Sequence, residues 1–218
     1  MSLIRLIEIF NNPNNFKHLS INGWVRTFRA NKFIALNDGS TVHNLQCIID
    51  FEKTDEKILK KIVSGAALNV EGELVKSLGK GQDFELLVDK IKIIGESDPE
   101  LYPIQPKKHS FEFLREKAHL RIRTSTISSV MRIRSTLAFA IHDFFQKEGF
   151  FYVNTPIITG SDTEGAGEMF RVTTLDAKNP PFDKKKNVEF KKDFFGKETS
   201  LTVSGQLEAE LGALALGK

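Results

Sequence analysis

Residues 149–158 read G-F-F-Y-V-N-T-P-I-I and decide how the surrounding chain is organised. The β-branched and aromatic residues 150–153 predict a strand, and Pro156 suits its end because proline has no N–H to donate to a neighbouring strand. Residues 125–148 predict an amphipathic helix, because apolar side chains recur there at helical spacing. These apolar residues are Val130, Ile133, Leu137, Ile141, Phe144 and Phe145. The pattern predicts a long helix with one buried face, followed by a strand at a sheet edge.

Both ends of this predicted helix carry residues that suit helix termini. Ser125, Thr126 and Ser128 are candidate N-caps, because their hydroxyl oxygens can accept a hydrogen bond from a free backbone N–H of the first turn. Gly149 follows the last turn and can adopt the left-handed conformation that ends a helix. The sequence therefore predicts where this helix begins and where it ends.

Length and composition indicate a globular protein. The chain has 218 residues, enough for one large or two ordinary domains, and we expect two. Charged residues make up 27% and hydrophobic residues 40%, with a mean hydropathy of -0.23, as is typical of soluble proteins. No apolar run approaches the length of a membrane span, and the first residues do not form a signal peptide. We therefore expect a cytoplasmic protein without a membrane partner.

Cysteine content and charge narrow the function classes further. The single cysteine, Cys47, excludes an intrachain disulfide and a multi-cysteine zinc site, and we expect it in the core. The formal charge of +3 and the isoelectric point near 8.9 permit an RNA partner without requiring one. Phenylalanine is frequent, with 18 residues against one Trp and two Tyr, so some rings are candidates for exposed stacking surfaces.

Residues 1–96 predict a small β-barrel. Strand patterns cover residues 19–25, 32–36, 44–49, 67–76 and 84–94, and a helical stripe over residues 58–63 separates the third strand from the fourth. Three strands, a helix and two strands is the order of the OB-fold, a five-stranded barrel that binds oligonucleotides on the face of its second and third strands. The alternative is a small barrel of the same kind without a ligand.

That barrel face carries residues suited to single-stranded RNA. Alternation along residues 44–49 points Gln46 away from the core, where its amide offers a donor and an acceptor to a base edge. Phe33 on the neighbouring strand offers a stacking plane, and Arg26 and Arg29 precede it as candidate phosphate contacts. The alternative is a phenylalanine in the barrel core and a glutamine on a solvated surface.

Three strings in this region resemble the anticodon-binding domain of the aspartyl and asparaginyl enzymes among the class II aminoacyl-tRNA synthetases. They are G-W-V-R-T-F-R at 23–29, F-I-A-L-N-D-G at 33–39 and L-Q-C-I-I-D at 45–50. The resemblance implies that Phe33 stacks on an anticodon base and that Gln46 reads a central uridine.

The long helix and the stretch after it resemble motif 1 of the same class. Helix, glycine, aromatic strand, proline and two isoleucines follow one another in the order of that motif. The resemblance implies a homodimer whose interface includes the helix and strand, and it implies that Pro156 packs near the partner's active site. The interface residues it points to are Val130, Ile133, Leu137, Ile141, Phe144 and Pro156.

Residues 97–124 predict a linker between two domains. The composition changes at E-S-D-P-E, residues 96–100, and Pro103 and Pro106 favour an extended chain up to residue 106. The run from residue 104 to residue 124 resembles the segment of asparaginyl-tRNA synthetases that joins the anticodon domain to the catalytic domain.

A glycine-rich acidic loop follows, with the sequence G-S-D-T-E-G-A-G-E-M-F at 160–170. A metal loop is one interpretation, although its carboxylates lack the spacing of a calcium loop. The E-G-A triplet at 164–166 is similar to the loop that closes over the amino acid in the aspartyl and asparaginyl branch. The resemblance implies that Glu164 pairs with the ammonium group of the substrate.

The segment L-T-V-S-G-Q-L-E-A-E, residues 201–210, predicts a strand that runs into a helix. It resembles the pocket strand of the same branch, and this implies that Ser204 and Gln206 hold the substrate backbone. Where the aspartyl branch carries a lysine, this chain has Ala209 beside Glu210. A carboxylate needs a cation whereas a carboxamide needs an acceptor, so Glu210 would accept from asparagine and repel aspartate. The alternative is a glutamate on a helix surface.

Residues 179–195 form an insertion with two prolines and lysine clusters at 184–186 and 191–192. We expect a solvated hairpin, and contact with the acceptor arm of a tRNA is the alternative.

The complete interpretation is an α+β protein with two domains. We expect an OB-fold anticodon-binding domain over 1–96, a linker over 97–124, and the start of an antiparallel class II catalytic domain over 125–218. The resemblance implies the N-terminal portion of an enzyme that charges tRNA(Asn) with L-asparagine. The F-R-x-E and G-x-G-x-x-R strings of motifs 2 and 3 are absent, so we expect neither catalytic residues nor metal ligands here, and ATP and Mg²⁺ would bind beyond this chain. The alternatives are a tRNA-binding paralogue without activity and a synthetase that also accepts aspartate.

Overall fold

The computed structural model describes residues 4–77, 79, 81–162, 165 and 168–217. The chain divides into two compact units, Met1–Ser135 and Thr136–Lys218. The predicted linker and the first turns of the long helix belong to the first unit. Among the described residues, no helix combines the length and the apolarity needed to cross a bilayer.

The first unit is built around a closed five-stranded barrel, which confirms the predicted OB-fold. Its strands are β1 (His18–Arg29), β2 (Phe33–Asn37), β3 (Leu45–Ile48), β4 (Ala67–Lys76) and β5 (Phe84–Gly95). They follow the order β1-β2-β3-β5-β4, and all pairs are antiparallel except β3 with β5. The short helix α2 (Glu56–Leu59) lies between β3 and β4 in the chain, and it overlaps the predicted stripe of residues 58–63 only at Ile58 and Leu59.

Alternate residues of the strands fill the barrel core. Fully buried side chains from these strands include Ile21, Ile34, Leu36, Leu45, Cys47, Leu68, Val70 and Leu86. Cys47 is a core residue as predicted, and burial raises the pKa of its thiol because the thiolate would lose its hydration. The period-two pattern thus indicated the correct inward positions along β3.

A short N-terminal helix that the sequence did not predict, α1 (Leu6–Asn11), closes one part of the core. Its Leu6 and Ile9 side chains are fully buried. The turn after β2 satisfies its first backbone donors: the Leu6 N–H donates to Asp38 Oδ2 at 2.7 Å, and the Ile7 N–H donates to Ser40 Oγ at 3.0 Å. The helix is therefore held both by apolar burial and by the turn residues.

The long helix α4 (Ser125–Lys147) has the predicted extent. The predicted caps are wrong, because the Thr124 Oγ1 atom accepts the Ile127 N–H at 3.4 Å. Gly149 has a φ of 80°, as the predicted helix end requires. The predicted buried face is also wrong for this chain, because no residue of α4 is buried. Five apolar residues of the predicted face are between 52% and 60% exposed: Val130, Ile133, Leu137, Ile141 and Phe144.

The strand predicted for residues 150–153 does not form. The structure assigns residues 150–153 to no strand, and Phe151 and Tyr152 are exposed. The first strand of the second unit begins only after Pro156, which is itself exposed. A β-branched and aromatic run forms a strand only where a neighbouring strand can pair with its backbone, so the sequence preference alone did not determine the structure here.

The second unit contains a small antiparallel sheet and a helix. The strands β6 (Ile158–Thr159), β7 (Arg171–Val172) and β8 (Thr199–Leu201) follow the order β6-β8-β7. The helix α5 (Gln206–Leu216) follows β8. The predicted pocket strand therefore ends at Leu201, earlier than expected, and a turn over residues 202–205 leads into the helix. One further helix, α3 (Phe111–Glu116), lies between β5 and α4 in the chain.

Candidate nucleic-acid interface and amino-acid site

The outer face of the barrel brings Phe33 and Gln46 together. In the strand register, Arg29 pairs with Phe33, and Phe33 pairs with Ile48 on β3. Gln46 lies two residues before Ile48 on β3, so the Gln46 and Ile48 side chains leave the same face of the sheet. Phe33 leaves that face too, because it is the strand partner of Ile48. The side chains that alternate with them on β2 and β3 are buried. Phe33, Gln46 and Arg29 therefore share one outer surface, and the alternation predicted the outward direction of Gln46.

The Phe33 ring is half-buried and has cations beside it. The Lys32 Nζ atom lies 5.7 Å from the centroid of the ring, and Arg29 at the end of β1 is exposed. In OB-folds, bases stack on such rings while neighbouring cations contact the phosphates. Lys32 was not among the predicted site residues, although its position next to Phe33 in the sequence was a sufficient signal.

A carboxylate holds the amide of Gln46. Glu85 on β5 is nearly buried, and its Oε2 atom accepts from Gln46 Nε2 at 3.4 Å, Ser77 Oγ at 3.0 Å and Gln82 Nε2 at 3.0 Å. With Nε2 directed towards Glu85, the Gln46 Oε1 atom is left to accept from a donor outside the barrel. This network gives the surface a fixed pattern of donors and acceptors for a base edge.

Sequence reasoning missed Glu85. The residue lies in the run F-E-L-L at 84–87, where an acid stands among apolar residues of a predicted strand. A carboxylate that is covered by its neighbours must accept hydrogen bonds from them. An acid among apolar strand residues could therefore have indicated a cluster of polar side chains around Glu85.

The structure does not bring Arg26 to this surface. A register shift between Val25 and Thr27 interrupts the alternation of β1, and the Arg26 guanidinium donates to the backbone carbonyl of Arg123. Burial lowers the pKa of Arg26, because the charged form loses hydration. Arg26 thus contacts the segment that precedes α4, away from the stacking ring.

The same segment lines an open pocket of about 380 Å³ beside the barrel. The Arg123 guanidinium lies 5.5 Å from the Trp24 ring and 5.9 Å from the Tyr102 ring, both of which line the pocket. Arg132 also lines it and donates to the carbonyl oxygens of Gly39 and Ser40. These arginines are engaged in attaching the linker and the start of α4 to the barrel.

In the second unit, three of the residues predicted to bind the amino acid lie at or just before the start of α5: Ser204, Gln206 and Glu210. Gln206 Nε2 donates to Glu210 Oε1 at 3.1 Å, one helical turn away, and both side chains are exposed. The Ser204 Oγ atom accepts the Gln206 N–H at 3.2 Å. These three predicted residues are therefore joined by hydrogen bonds, whereas Glu164 lies outside the described residues.

Comparison with known protein families supports the order of the two parts of the chain. Residues 19–94 match the family described as OB-fold nucleic acid binding domain. Residues 110–209 match the family described as tRNA synthetases class II (D, K and N). The first match covers most of the barrel strands, and the second includes α4, the small sheet and the residues at the start of α5.

Curated relatives match the chain along its whole length. It is 54% identical, over 223 aligned positions, to an asparagine–tRNA ligase of Cytophaga hutchinsonii, an alignment that covers 100% of this chain and 48% of the relative. It is 51% identical to the asparagine–tRNA ligase of Borreliella afzelii, with 97% of this chain and 46% of the relative covered. The chain thus spans about half the length of the curated relatives it matches.

A solved structure agrees in fold. The asparaginyl-tRNA synthetase of Pyrococcus horikoshii, complexed with asparaginyl-adenylate, matches with a TM-score of 0.77 at 23% identity, covering 99% of this chain and 46% of that one. This likeness concerns the fold, whereas the curated relatives carry the sequence relationship. The chain thus combines a match to the OB-fold nucleic acid binding domain with a match to the tRNA synthetases of class II, and it is similar along its whole length to asparagine–tRNA ligases.

Proposed function

We propose that this chain is the N-terminal portion of an asparagine–tRNA ligase that charges tRNA(Asn) with L-asparagine in the cytoplasm. The observation that supports this most is the match to curated asparagine–tRNA ligases along the whole chain at 50% identity or more. The barrel surface and the polar cluster at the start of α5 are chemically suited to the two substrates that such an enzyme must select.

On the RNA side, we propose that the barrel surface holds the unpaired anticodon loop. A base would stack on Phe33, while Arg29 and Lys32 contact the phosphates. Gln46 Oε1 is free to accept the N3–H of a uridine, because Glu85 engages the Nε2 atom of the same amide. Arg26 is left out of this proposal, since it contacts the backbone of Arg123.

On the amino-acid side, we propose that Ser204, Gln206 and Glu210 contribute to the asparagine pocket together with Glu164. Glu164 would pair with the substrate ammonium through a charge-assisted hydrogen bond. Glu210 accepts from Gln206 through Oε1, which leaves its second carboxylate oxygen for the N–H groups of a carboxamide. The negative charge of Glu210 would repel the side chain of aspartate.

ATP and Mg²⁺ are general requirements of this family. The residues that the structure describes include no group of three or more His, Cys, Asp or Glu side chains able to hold a metal ion. We propose that ATP and Mg²⁺ bind through residues of motifs 2 and 3, whose F-R-x-E and G-x-G-x-x-R strings this sequence does not contain.

Exchange of Glu210 for lysine should shift amino-acid selection towards aspartate. In the protein that carries the complete catalytic domain, we expect asparagine-dependent exchange of pyrophosphate into ATP. Glu210→Lys should lower the ratio of asparagine- to aspartate-dependent exchange by roughly tenfold, because an acceptor for the amide becomes a cation for the carboxylate. Glu208→Lys, two residues earlier on α5, is the control and should leave the ratio unchanged.

Three results would contradict this assignment in different ways. An unchanged ratio in Glu210→Lys would remove Glu210 from the pocket. Equal exchange with asparagine and aspartate in the unmodified enzyme would indicate a synthetase that accepts both amino acids. Absence of exchange with any amino acid would favour a tRNA-binding paralogue instead of a ligase.

We propose that a second copy of the protein covers the apolar face of α4. The five residues of this face are more than half exposed, and residues 150–153 have a strand-forming sequence but are not assigned to a strand. A second copy would bury the first surface and supply strand pairing for the second, through the same patch on both subunits. The Pro156 that ends this segment is exposed and would join the interface.

Leu137→Glu should convert the dimer into a monomer, because it places a charge in the centre of the apolar face. Gln146→Glu is the control, since helical geometry puts residue 146 on the opposite side of α4. The measurement is molar mass by sedimentation equilibrium. A dimer that survives Leu137→Glu, or one that Gln146→Glu dissociates equally, would argue against this interface.

A further inference from the structure

The positive charge of the chain is concentrated in one short segment of the second unit. Residues 178–197 contain seven lysines and three acidic residues, a net charge of +4. The whole chain carries a formal charge of +3, so the other residues sum to -1. The segment contains the insertion at residues 179–195, for which the two interpretations are a solvated hairpin and a contact with the acceptor arm of a tRNA.

The tip of this segment is an ordered hairpin. Phe182 and Val188 form a bridge, and the Asp183 N–H donates to the carbonyl oxygen of Asn187 at 2.8 Å. Inside the turn, Asp183 Oδ1 accepts the N–H groups of Lys185 at 2.7 Å and Asn187 at 2.9 Å. The Asp183 carboxylate is thus used by the backbone of the turn, which fixes Lys184, Lys185 and Lys186 at its tip.

A second acid anchors the end of the segment to the chain after β7. Asp193 is buried, and its carboxylate accepts from Thr173 Oγ1 at 2.6 Å, from Thr174 N–H at 2.9 Å and from Thr174 Oγ1 at 2.8 Å. These hydrogen bonds hold the pKa of Asp193 below its usual range. The hairpin therefore projects from a fixed point of the second unit.

The acids of the segment are engaged by the backbone, by threonines or by Lys192, while most of its lysines form no ion pair with a described residue. Glu189 pairs with Lys192 at 2.7 Å. Lys184, Lys185, Lys186 and Lys191 are exposed, and none of them forms an ion pair with another residue that the structure describes. A cluster of exposed ammonium groups on a fixed turn is complementary to the phosphate backbone of a nucleic acid.

We propose that this hairpin is a second RNA contact, which binds the phosphate backbone of tRNA outside the anticodon stem–loop. The proposal rests on the proposed function, because it assigns the hairpin to the RNA that the barrel surface would hold. We expect no base contacts from the hairpin, because its lysines would bind phosphate as point charges, and phosphate contacts do not read the base sequence. The barrel would provide base recognition, and the hairpin would add affinity that depends on salt.

The test compares two RNAs with the variant Lys184→Ala/Lys185→Ala/Lys186→Ala. Full-length tRNA(Asn) and its isolated anticodon stem–loop are titrated with the protein across a range of KCl concentrations, with circular dichroism as a check on folding. We expect the variant to bind full-length tRNA roughly tenfold more weakly, and to reduce the slope of log K against log salt by about 2, because each lost phosphate contact removes roughly 0.7 to 0.9. Affinity for the stem–loop should not change.

Two control variants separate the hairpin from net charge. Replacing the same three lysines by arginine should preserve tRNA binding, because the charges remain. Replacing Lys53, Lys57 and Lys60 of the barrel by alanine removes the same charge elsewhere and should have a smaller effect. An equal loss with the barrel variant would mean that net charge alone governs binding, and the proposal would be wrong.

The remaining outcomes distinguish this proposal from the proposed function. If Phe33→Ala weakens tRNA binding while the hairpin variant does not, the barrel assignment stands and the hairpin assignment fails. If the hairpin variant weakens binding of the stem–loop as much as that of tRNA, or reduces binding to anionic lipid vesicles only, the assignment also fails. If the unmodified protein binds neither RNA, the proposed function fails together with this contact.

Discussion

Gly72→Val should destabilise the barrel by about 3 kcal/mol or more, the upper range for insertion of methylene groups into a packed core. Gly72 lies on β4, opposite Val88 and next to a shift in the register with β5. A Cβ atom at this position would overlap the backbone carbonyl of Leu87. Backbone atoms cannot change rotamer as a flexible side chain can, so β4 and β5 would have to separate at Gly72.

Gly95→Val is the matched control, because both glycines lie on the ladder between β4 and β5. A Cβ atom at Gly95 would meet the Ala67 Cβ atom at 3.6 Å, which is an ordinary contact. Urea denaturation can be followed through the fluorescence of Trp24, the single tryptophan of the chain, which lies on β1. Equal urea midpoints for the two variants would mean that the close contact between Gly72 and the Leu87 backbone does not determine the stability of the barrel.

The barrel could be predicted because each of its strands finds its partners within this chain. Alternation in residues 44–49 gave the inward positions of Leu45, Cys47 and Ile49, and all three are buried. The turn after β2 contains Asn37, Asp38 and Gly39, which are residue types typical of turns, and Gly39 has a φ of 82°. Local pattern was sufficient here because burial and strand pairing are both completed within the barrel.

The region around residue 149 shows where such reasoning fails. The helical period of α4 was correct, yet the pattern alone could not indicate what covers its apolar face. The strand predicted for 150–153 failed for the same reason, because β propensity describes how a residue fits beside a neighbouring strand and not whether that strand is present. The pattern therefore predicts where the apolar face of α4 lies, but not whether the described residues cover it.

The candidate RNA surface was predicted in part. Phe33 and Gln46 could be placed on one face because their strands are adjacent and antiparallel. Glu85 could not, since its contact with Gln46 joins residues 39 positions apart across the parallel pair β3 and β5. Arg26 was misplaced because the register shift after Val25 changes the phase of the strand, and a sequence pattern does not reveal a single displaced residue.

Phe33→Ala should weaken tRNA binding by about 1 to 3 kcal/mol, or roughly 5- to 150-fold, the range measured for loss of a base–aromatic stack. The ring is half-buried on the outer face, so its removal takes away one stacking plane and leaves the core residues Ile34 and Cys47 in place. The loss should exceed that caused by Lys185→Ala, since a single exposed phosphate contact contributes less than a stacked base.

Two further variants separate stacking from simple apolar contact. Phe33→Tyr retains the aromatic plane and should bind nearly as well as the unmodified protein, whereas Phe33→Leu retains apolar volume without the plane and should lose most of the affinity. Phe51→Ala is the control for aromatic loss elsewhere, because Phe51 follows β3 and its side chain is 52% exposed. Fluorescence anisotropy with the labelled anticodon stem–loop measures all four variants against one ligand. If Phe33→Leu binds like the unmodified protein, or if Phe51→Ala loses as much as Phe33→Ala, no base stacks on Phe33 and the anticodon assignment of this surface is wrong.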